Sequence, residues 1–295
     1  MILKPTRIAS LSLVSFLTVP ALAPPALADG MPSRGRVKTA EPAPAPRRCT
    51  LSANVGITTD YVFRGISQTS EGPAIQGGFD ATCGMFYAGV WASSLDWGPA
   101  FRPGPDDIVT WASMELDVFA GLKGKLGKLS WDLGVIWYTY PNSTRNFLLG
   151  TDGFFDRFDN DFVELKAGVS ADIWKGGTLG VTFFYSPEYQ YETGDVWTVE
   201  GGFAQALPAW WGFTPTLSAL IGYQRGNDGA YALRYAGGDD EYVYWNAGVA
   251  FGFLEKWSVD LRYWDTNIGA QHDTFCGGNY FQCDERFVAT LKFTY

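Results

Sequence analysis

Apolar and polar residues alternate one by one along most of the chain after residue 50. In 162–173, Val163, Leu165, Ala167, Val169, Ala171 and Ile173 alternate with Phe162, Glu164, Lys166, Gly168, Ser170 and Asp172. Successive side chains of a β-strand point to opposite faces, so this spacing makes one apolar face and one mostly polar or small face. Helical spacing would scatter both sets. Residues 129–140, 242–253 and 257–263 repeat the pattern; in the last, Ser258, Asp260 and Arg262 oppose Val259, Leu261 and Tyr263. Extended along the chain, the period predicts about twelve strands. They fall at 51–62, 74–83, 86–95, 109–121, 129–140, 162–173, 179–189, 196–207, 214–225, 242–254, 257–268 and 285–295. Each is near the roughly 9 to 11 residues that a tilted strand needs to cross a bilayer.

The connections sort into two sets. After even-numbered strands they are short: Gly84-Met85, 122–128, 174–178, 208–213 and Glu255-Lys256. After odd-numbered strands they are mostly long and polar: 63–73, 96–108, 141–161, 226–241 and 269–284. This is the order of an up-and-down antiparallel barrel of the outer-membrane type, with short periplasmic turns and long outer loops. A soluble lipocalin-like barrel has the same period, and two further features separate them. Glu115, Asp117, Glu164, Lys166, Glu200, Asp260 and Arg262 lie in mid-strand on the polar face. A dry core accepts such charges poorly, and a wet lumen accepts them. Trp91, Trp97, Trp111, Trp137, Trp174, Trp197, Trp210, Trp211, Trp257 and Trp264 fall near strand ends, where interfacial girdles would place them. The expected fold class is therefore all-β, a membrane-spanning barrel.

Composition refines this. Lys4 and Arg7 precede an apolar run from Ile8 to Val19 and the triplet Ala26-Leu27-Ala28, which reads as a secretory signal peptide over 1–28. The run is too short for a spanning helix, and Pro20, Pro24 and Pro25 break its end. Residues 29–48 read as a Pro/Ala-rich, disordered periplasmic tail, and 49–295 as the transmembrane barrel. With 22 Lys and Arg against 31 Asp and Glu, the chain lacks the basic footprint of a nucleic-acid binder. Its one histidine, His272, leaves little room for a Ser/His/Asp relay or a zinc site, so no enzyme chemistry, metal or cofactor is expected. A Ser/His hydrolase on this barrel would have to use His272. Four cysteines in an exported chain predict two disulfides. Cys276 and Cys283 share one loop and are expected to staple it, leaving Cys49 and Cys83 to pair at the periplasmic end of the first hairpin.

On this register the lumen-facing acids are Asp60, Asp80, Glu115, Asp117, Asp132, Glu164, Asp172, Glu200 and Asp260, and the bases are Lys166, Arg262, Arg286 and Lys292. The acidic excess predicts a narrow, weakly cation-selective channel for small hydrophilic solutes. The competing expectation is that opposite charges pair across strands and plug a barrel of this size, leaving a structural or ligand-binding role. Asp60 and Arg64 are expected either to pair inward and fix the first loop or to form part of a constriction. The loop carrying Arg145, Asp152, Asp156, Arg157, Asp159 and Asp161 lacks the Gly and terminal Glu of an EF-hand and reads as a solvated outer loop.

The segment Gly56-Ile57-Thr58-Thr59-Asp60-Tyr61-Val62-Phe63-Arg64-Gly65-Ile66-Ser67-Gln68-Thr69, followed by Pro73-Ala74-Ile75-Gln76-Gly77-Gly78-Phe79-Asp80, resembles the opening signature of the TorF family of outer-membrane porins. Trp91-Ala92-Ser93-Ser94, Glu115-Leu116-Asp117, Tyr138-Thr139-Tyr140-Pro141 and Ser186-Pro187-Glu188-Tyr189 resemble its later blocks. The resemblance implies a channel in the outer membrane of a Gram-negative bacterium, surrounded by outer-membrane lipid. The ending, with Phe287, Leu291, Phe293 and Tyr295 on one strand face, resembles the assembly signal of such barrels and implies recognition by the barrel-assembly machinery.

Overall fold

The computed structural model describes residues 49–97, 109–110, 112–141, 144–149, 154–158, 160–229, 239–268 and 283–295. Twelve antiparallel strands close into one barrel: β1 (Thr50–Thr58), β2 (Ala74–Cys83), β3 (Phe86–Ser94), β4 (Met114–Leu126), β5 (Leu129–Thr139), β6 (Phe162–Trp174), β7 (Gly177–Ser186), β8 (Val196–Ala206), β9 (Thr214–Gly226), β10 (Glu241–Phe253), β11 (Trp257–Thr266) and β12 (Arg286–Thr294). Each pairs with its sequence neighbours. β1 meets β12 from Asn54↔Thr294 to Thr58↔Thr290, which leaves no free edge. Closure matters because an unpaired backbone amide in hydrocarbon costs several kcal/mol, roughly.

The alternation decides which face meets lipid. On β6, Val163, Leu165 and Val169 point outward and are exposed, while Phe162 and Glu164 point inward and are buried. On the other strands Phe79, Leu133, Val181 and Ile221 are also exposed, as they must be on a lipid-facing wall. An apolar outside around a charged inside inverts the soluble barrel, and with short turns at one end this is a Gram-negative outer-membrane barrel. On β12, Phe287 and Leu291 lie exposed on the outer face, Phe293 is half-buried there, and Tyr295 just after the strand is exposed.

Three differences from the expected elements have physical causes. β1 stops at Thr58, because the chain turns into the barrel at Asp60 and forms a small hairpin, Val62–Phe63 against Ile66–Ser67. The stretch 122–128 is not a long turn: β4 runs on to Leu126, with Lys123 and Lys125 on the inward parity, and only Gly127-Lys128 reverses the chain. Val109–Thr110 does not begin a barrel strand. It pairs with Thr144–Leu149, which pairs with Phe154–Phe158, in a separate three-stranded sheet built by two outer connections.

The tryptophan girdle also needs correction. Trp137, Trp174, Trp210 and Trp211 are exposed near strand ends as expected, but Trp91, Trp97 and Trp264 are buried. Trp91 and Trp264 fall on the inward parity, opposite Asp117 and Arg286, and Trp97 packs against Tyr140 and Tyr191. Trp111 lies outside the described residues, as do residues 1–48 with the expected signal peptide and tail. The Cys49–Cys83 disulfide is present, with the two Cα atoms 4.3 Å apart at the periplasmic end of the first hairpin. Cys283 is buried and disulfide-bonded, and Cys276 lies outside the described residues.

Candidate functional site

The inward hairpin sets the character of the lumen. Arg64 and Gly65 join its two short strands, both with positive φ (50° and 84°), the backbone of a type I′ turn. That turn places the Arg64 side chain across the barrel, where it is 1% exposed. Its guanidinium meets the Glu164 carboxylate as a bidentate fork, donating from Nη1 at 2.7 Å and from Nη2 at 2.8 Å, and donates again from Nη1 to Gln224 Oε1 at 3.0 Å. Such paired charge-assisted bonds are the strong ones. Phe63 and Phe184 flank the guanidinium at 4.8 and 5.0 Å, and Tyr242 donates its hydroxyl to the Arg64 carbonyl at 3.2 Å. One residue of β1's hairpin thus touches β6, β7, β9 and β10.

Gly65 is required twice over. An L-residue is strained at its φ, and a Cβ there would stand 2.3 Å from Thr266 Cγ2. Gly65→Ala is therefore expected to destabilise the barrel by about 1–3 kcal/mol. Urea titration followed by heat-modifiable gel mobility reads this directly.

Around Arg64 a layer of polar groups fills the section. Tyr138 donates to Glu164 Oε2 at 2.9 Å, Thr198 to Gln224 Oε1 at 3.1 Å and Tyr244 to Glu200 Oε1 at 2.5 Å. Gly222 makes room for Tyr244, since a Cβ there would fall 2.1 Å from the tyrosine ring. On the opposite wall Tyr61 donates to Glu115 Oε1 at 2.9 Å and packs edge-on against Trp91. Burial, with Glu115 beside it, pushes the Tyr61 hydroxyl well above its usual range, so it stays a donor. Asp60 does not pair with Arg64. It takes a bond from Arg286 at 3.1 Å and from the Ser67 and Thr69 hydroxyls at 2.7 and 2.9 Å, which tethers the hairpin to β12.

Below this layer the lumen opens toward the periplasm. Lys166 bonds Asp132 at 3.0 Å, and Tyr87 donates to the other Asp132 oxygen at 2.7 Å. Arg262 bonds Asp260, Asn246 and Ser218. These ion pairs keep 10–15% of their side-chain surface accessible, against 1% for Arg64–Glu164. Access therefore fades at the Arg64 layer.

The expected lining residues separate accordingly. Asp60, Glu115, Asp117, Glu164, Glu200 and Arg286 gather in the buried outer layer. Asp132, Lys166, Asp260 and Arg262 line the lower chamber, where Asp80 and Lys292 also act on each other electrostatically. Asp172 keeps the inward parity of β6 and lies exposed at the periplasmic rim, accepting a bond from Thr178 just before the register shifts between Asp172 and Trp174. The side chains of Arg145, Asp156 and Arg157, and all of Asp152, Asp159 and His272, lie outside the described residues.

Arg64 takes the second of its two expected places, in the narrow section, but its partners Glu164 and Gln224 and the surrounding Tyr138, Tyr242 and Tyr244 were not foreseen. The available signal was an Arg-Gly pair between Val62-Phe63 and Ile66, and tyrosines sharing the parity of the lumen acids. Among the described residues no group of three or more His, Cys, Asp or Glu side chains is arranged to hold a metal ion.

The NanC porin is similar at 11% identity and a TM-score of 0.46, covering 83% of this chain and 98% of that one. The KdgM porin in complex with disordered oligogalacturonate is similar at 7% identity and 0.48, with 83% and 98% covered. OmpF of Salmonella typhi in complex with daunomycin is similar at 10% and 0.41, with 84% and 97% covered. No curated protein sequence matches the chain. The TorF resemblance is not confirmed by these findings. A family model does match residues 42–295, and the chain belongs to that family, the Gcw_chp bacterial proteins of unknown function.

Proposed function

We propose that this porin-like barrel is a passive, non-enzymatic channel for small hydrophilic solutes that rests closed, with the inward hairpin at 59–73 as its gate. The observation that carries the reading is the gradient of access along the lumen: ion pairs 10–15% exposed below, and Arg64–Glu164 at 1% across the section above. A barrel built only as a structural plug has no need of a charged lower chamber open to the periplasm. Asp80, Asp132, Lys166, Asp260, Arg262 and Lys292 line the path in equal numbers of acids and bases, with Lys123 and Lys125 on the inward parity at its periplasmic end; Glu115, Asp117 and Glu200 are in no ion pair among the described residues and carry their charge once the layer opens to water, so the open state favours cations weakly. In this reading residues 1–28 direct export, and the exposed face of β12 is what the assembly machinery recognises.

A second reading, a permanently plugged barrel whose loops bind a ligand, is favoured by the strength of the same Arg64 contacts. Planar-bilayer recording of the refolded protein and of Arg64→Ala under a KCl gradient decides between them. The gate reading expects rare openings in the natural protein, frequent steps in the variant, and a reversal potential of cationic sign. Silence from both proteins, each shown to be folded, establishes the plug.

A further inference from the structure

Arg64 is seated in the lumen as a ligand is seated in a receptor. The seat is built by the barrel wall: Glu164 on β6 accepts from both terminal nitrogens, Gln224 on β9 accepts a further bond at Oε1, and the Phe184 ring on β7 lies 5.0 Å from the guanidinium carbon. All three residues are 1% exposed or less, and the Tyr138 and Thr198 hydroxyls hold the Glu164 and Gln224 oxygens in place. A carboxylate facing a planar fork, with an aromatic ring against the fork, selects a guanidinium over an ammonium. The wall also carries more acid than Arg64 answers. Asp117 and Glu200 both act on Glu164 electrostatically, and among the described residues neither is in an ion pair. Both Asp117 oxygens and Glu200 Oε2 are buried without a hydrogen-bond partner.

We propose that this part of the wall is a guanidinium-binding site, which Arg64 fills as a built-in occupant while the barrel is closed, and that the solute it serves carries a guanidinium and a second positive group. The proposal rests on the reading of the hairpin as a gate. The solute's guanidinium competes with Arg64 for Glu164, and its second positive group meets Asp117. Because Arg64 is tethered through the hairpin, its effective concentration is in the millimolar range, roughly, and the barrel stays closed while solute is scarce. The solute touches the wall only after the hairpin has moved. That is the differential binding a ligand needs in order to shift a closed state to an open one.

The test is thermal unfolding of the refolded Arg64→Ala barrel in detergent, followed by heat-modifiable gel mobility, with L-argininamide titrated against L-lysinamide at about pH 6.5, where both are dications. Argininamide is expected to raise stability with a half-effect at about 1 mM, and lysinamide to need at least about tenfold more, since an ammonium cannot reproduce the fork. Adding Glu164→Gln should raise the argininamide half-effect by about tenfold or more, and adding Asp117→Asn instead by about threefold or more, one carboxylate being lost from the wall in each case. Should Arg64→Ala not refold alone, its folded yield is read across the same titration, and a yield that argininamide raises no more than lysinamide overturns the proposal. Equal responses to the two solutes, or a response undiminished by Glu164→Gln or by Asp117→Asn, overturn it as well. In planar bilayers, argininamide on both faces of the natural protein should raise the frequency of steps by about tenfold or more over lysinamide. Steps indifferent to argininamide would overturn the proposal and leave the gate standing. A silent bilayer beside a selective stability response would remove the gate and retain the guanidinium site.

Discussion

Arg64→Ala is expected to lower the unfolding free energy by about 3–5 kcal/mol, the usual result of leaving one member of a buried ion pair behind. Glu164, fully buried in the closed layer, loses both guanidinium bonds in this variant and keeps the bond that Tyr138 donates. Gln224 loses a donor as well. Urea titration of the folded fraction measures the loss. Combining the change with Glu164→Leu should recover much of it, because no uncompensated charge then remains in the layer and an apolar pair is tolerated there. Arg64→Lys should recover less, since an ammonium cannot reproduce the planar fork. A loss below about 1 kcal/mol in Arg64→Ala would mean that the pair is solvated and the section not closed.

Val169→Arg is expected to cost about 2–4 kcal/mol, the range for a cation near the bilayer midplane on a barrel exterior. Val169 lies near the middle of β6, 54% exposed, with Trp131 and Val181 beside it in the register. The next residue gives the control. Ser170 faces inward between Ser130 and Gly180, small neighbours that leave space in a polar chamber. Ser170→Arg should therefore change stability by less than about 1 kcal/mol. Equal costs at 169 and 170 would contradict the assignment of the two faces.

Strand number, order and facing were legible because the bilayer imposes one rule on every strand. An outward residue must be apolar, so the period reports facing along the whole of β6 and at Leu133, Val181 and Ile221 alike. The first disulfide was legible for a related reason: up-and-down order places Cys49 and Cys83 at one end of one hairpin. What occupied the lumen was harder to read. Inside a barrel a residue answers to partners far away in sequence, as Arg64 does to Glu164 and Gln224 and Asp60 does to Arg286. Local proximity suggested Asp60 with Arg64, and the type I′ turn sends the two in different directions. Trp91 and Trp264 misled for a similar reason. An aromatic near a strand end suits a lipid interface, but parity on β3 and β11 turned both inward.

The central claim is that the 59–73 hairpin sits inside the barrel and closes its outer half. Ser67 is 0% exposed within that hairpin, its hydroxyl bonded to Asp60, and no described cysteine is free to compete with a new thiol. Ser67→Cys in the refolded barrel can be challenged from both sides with a membrane-impermeant maleimide, using the exposed Glu71→Cys in the same loop as the reference. The account predicts that Cys at 67 resists labelling by about 10²-fold or more relative to 71, and that adding Arg64→Ala removes most of that protection. Labelling of the two positions at the same rate in the otherwise natural protein would show the hairpin outside the lumen and contradict the account.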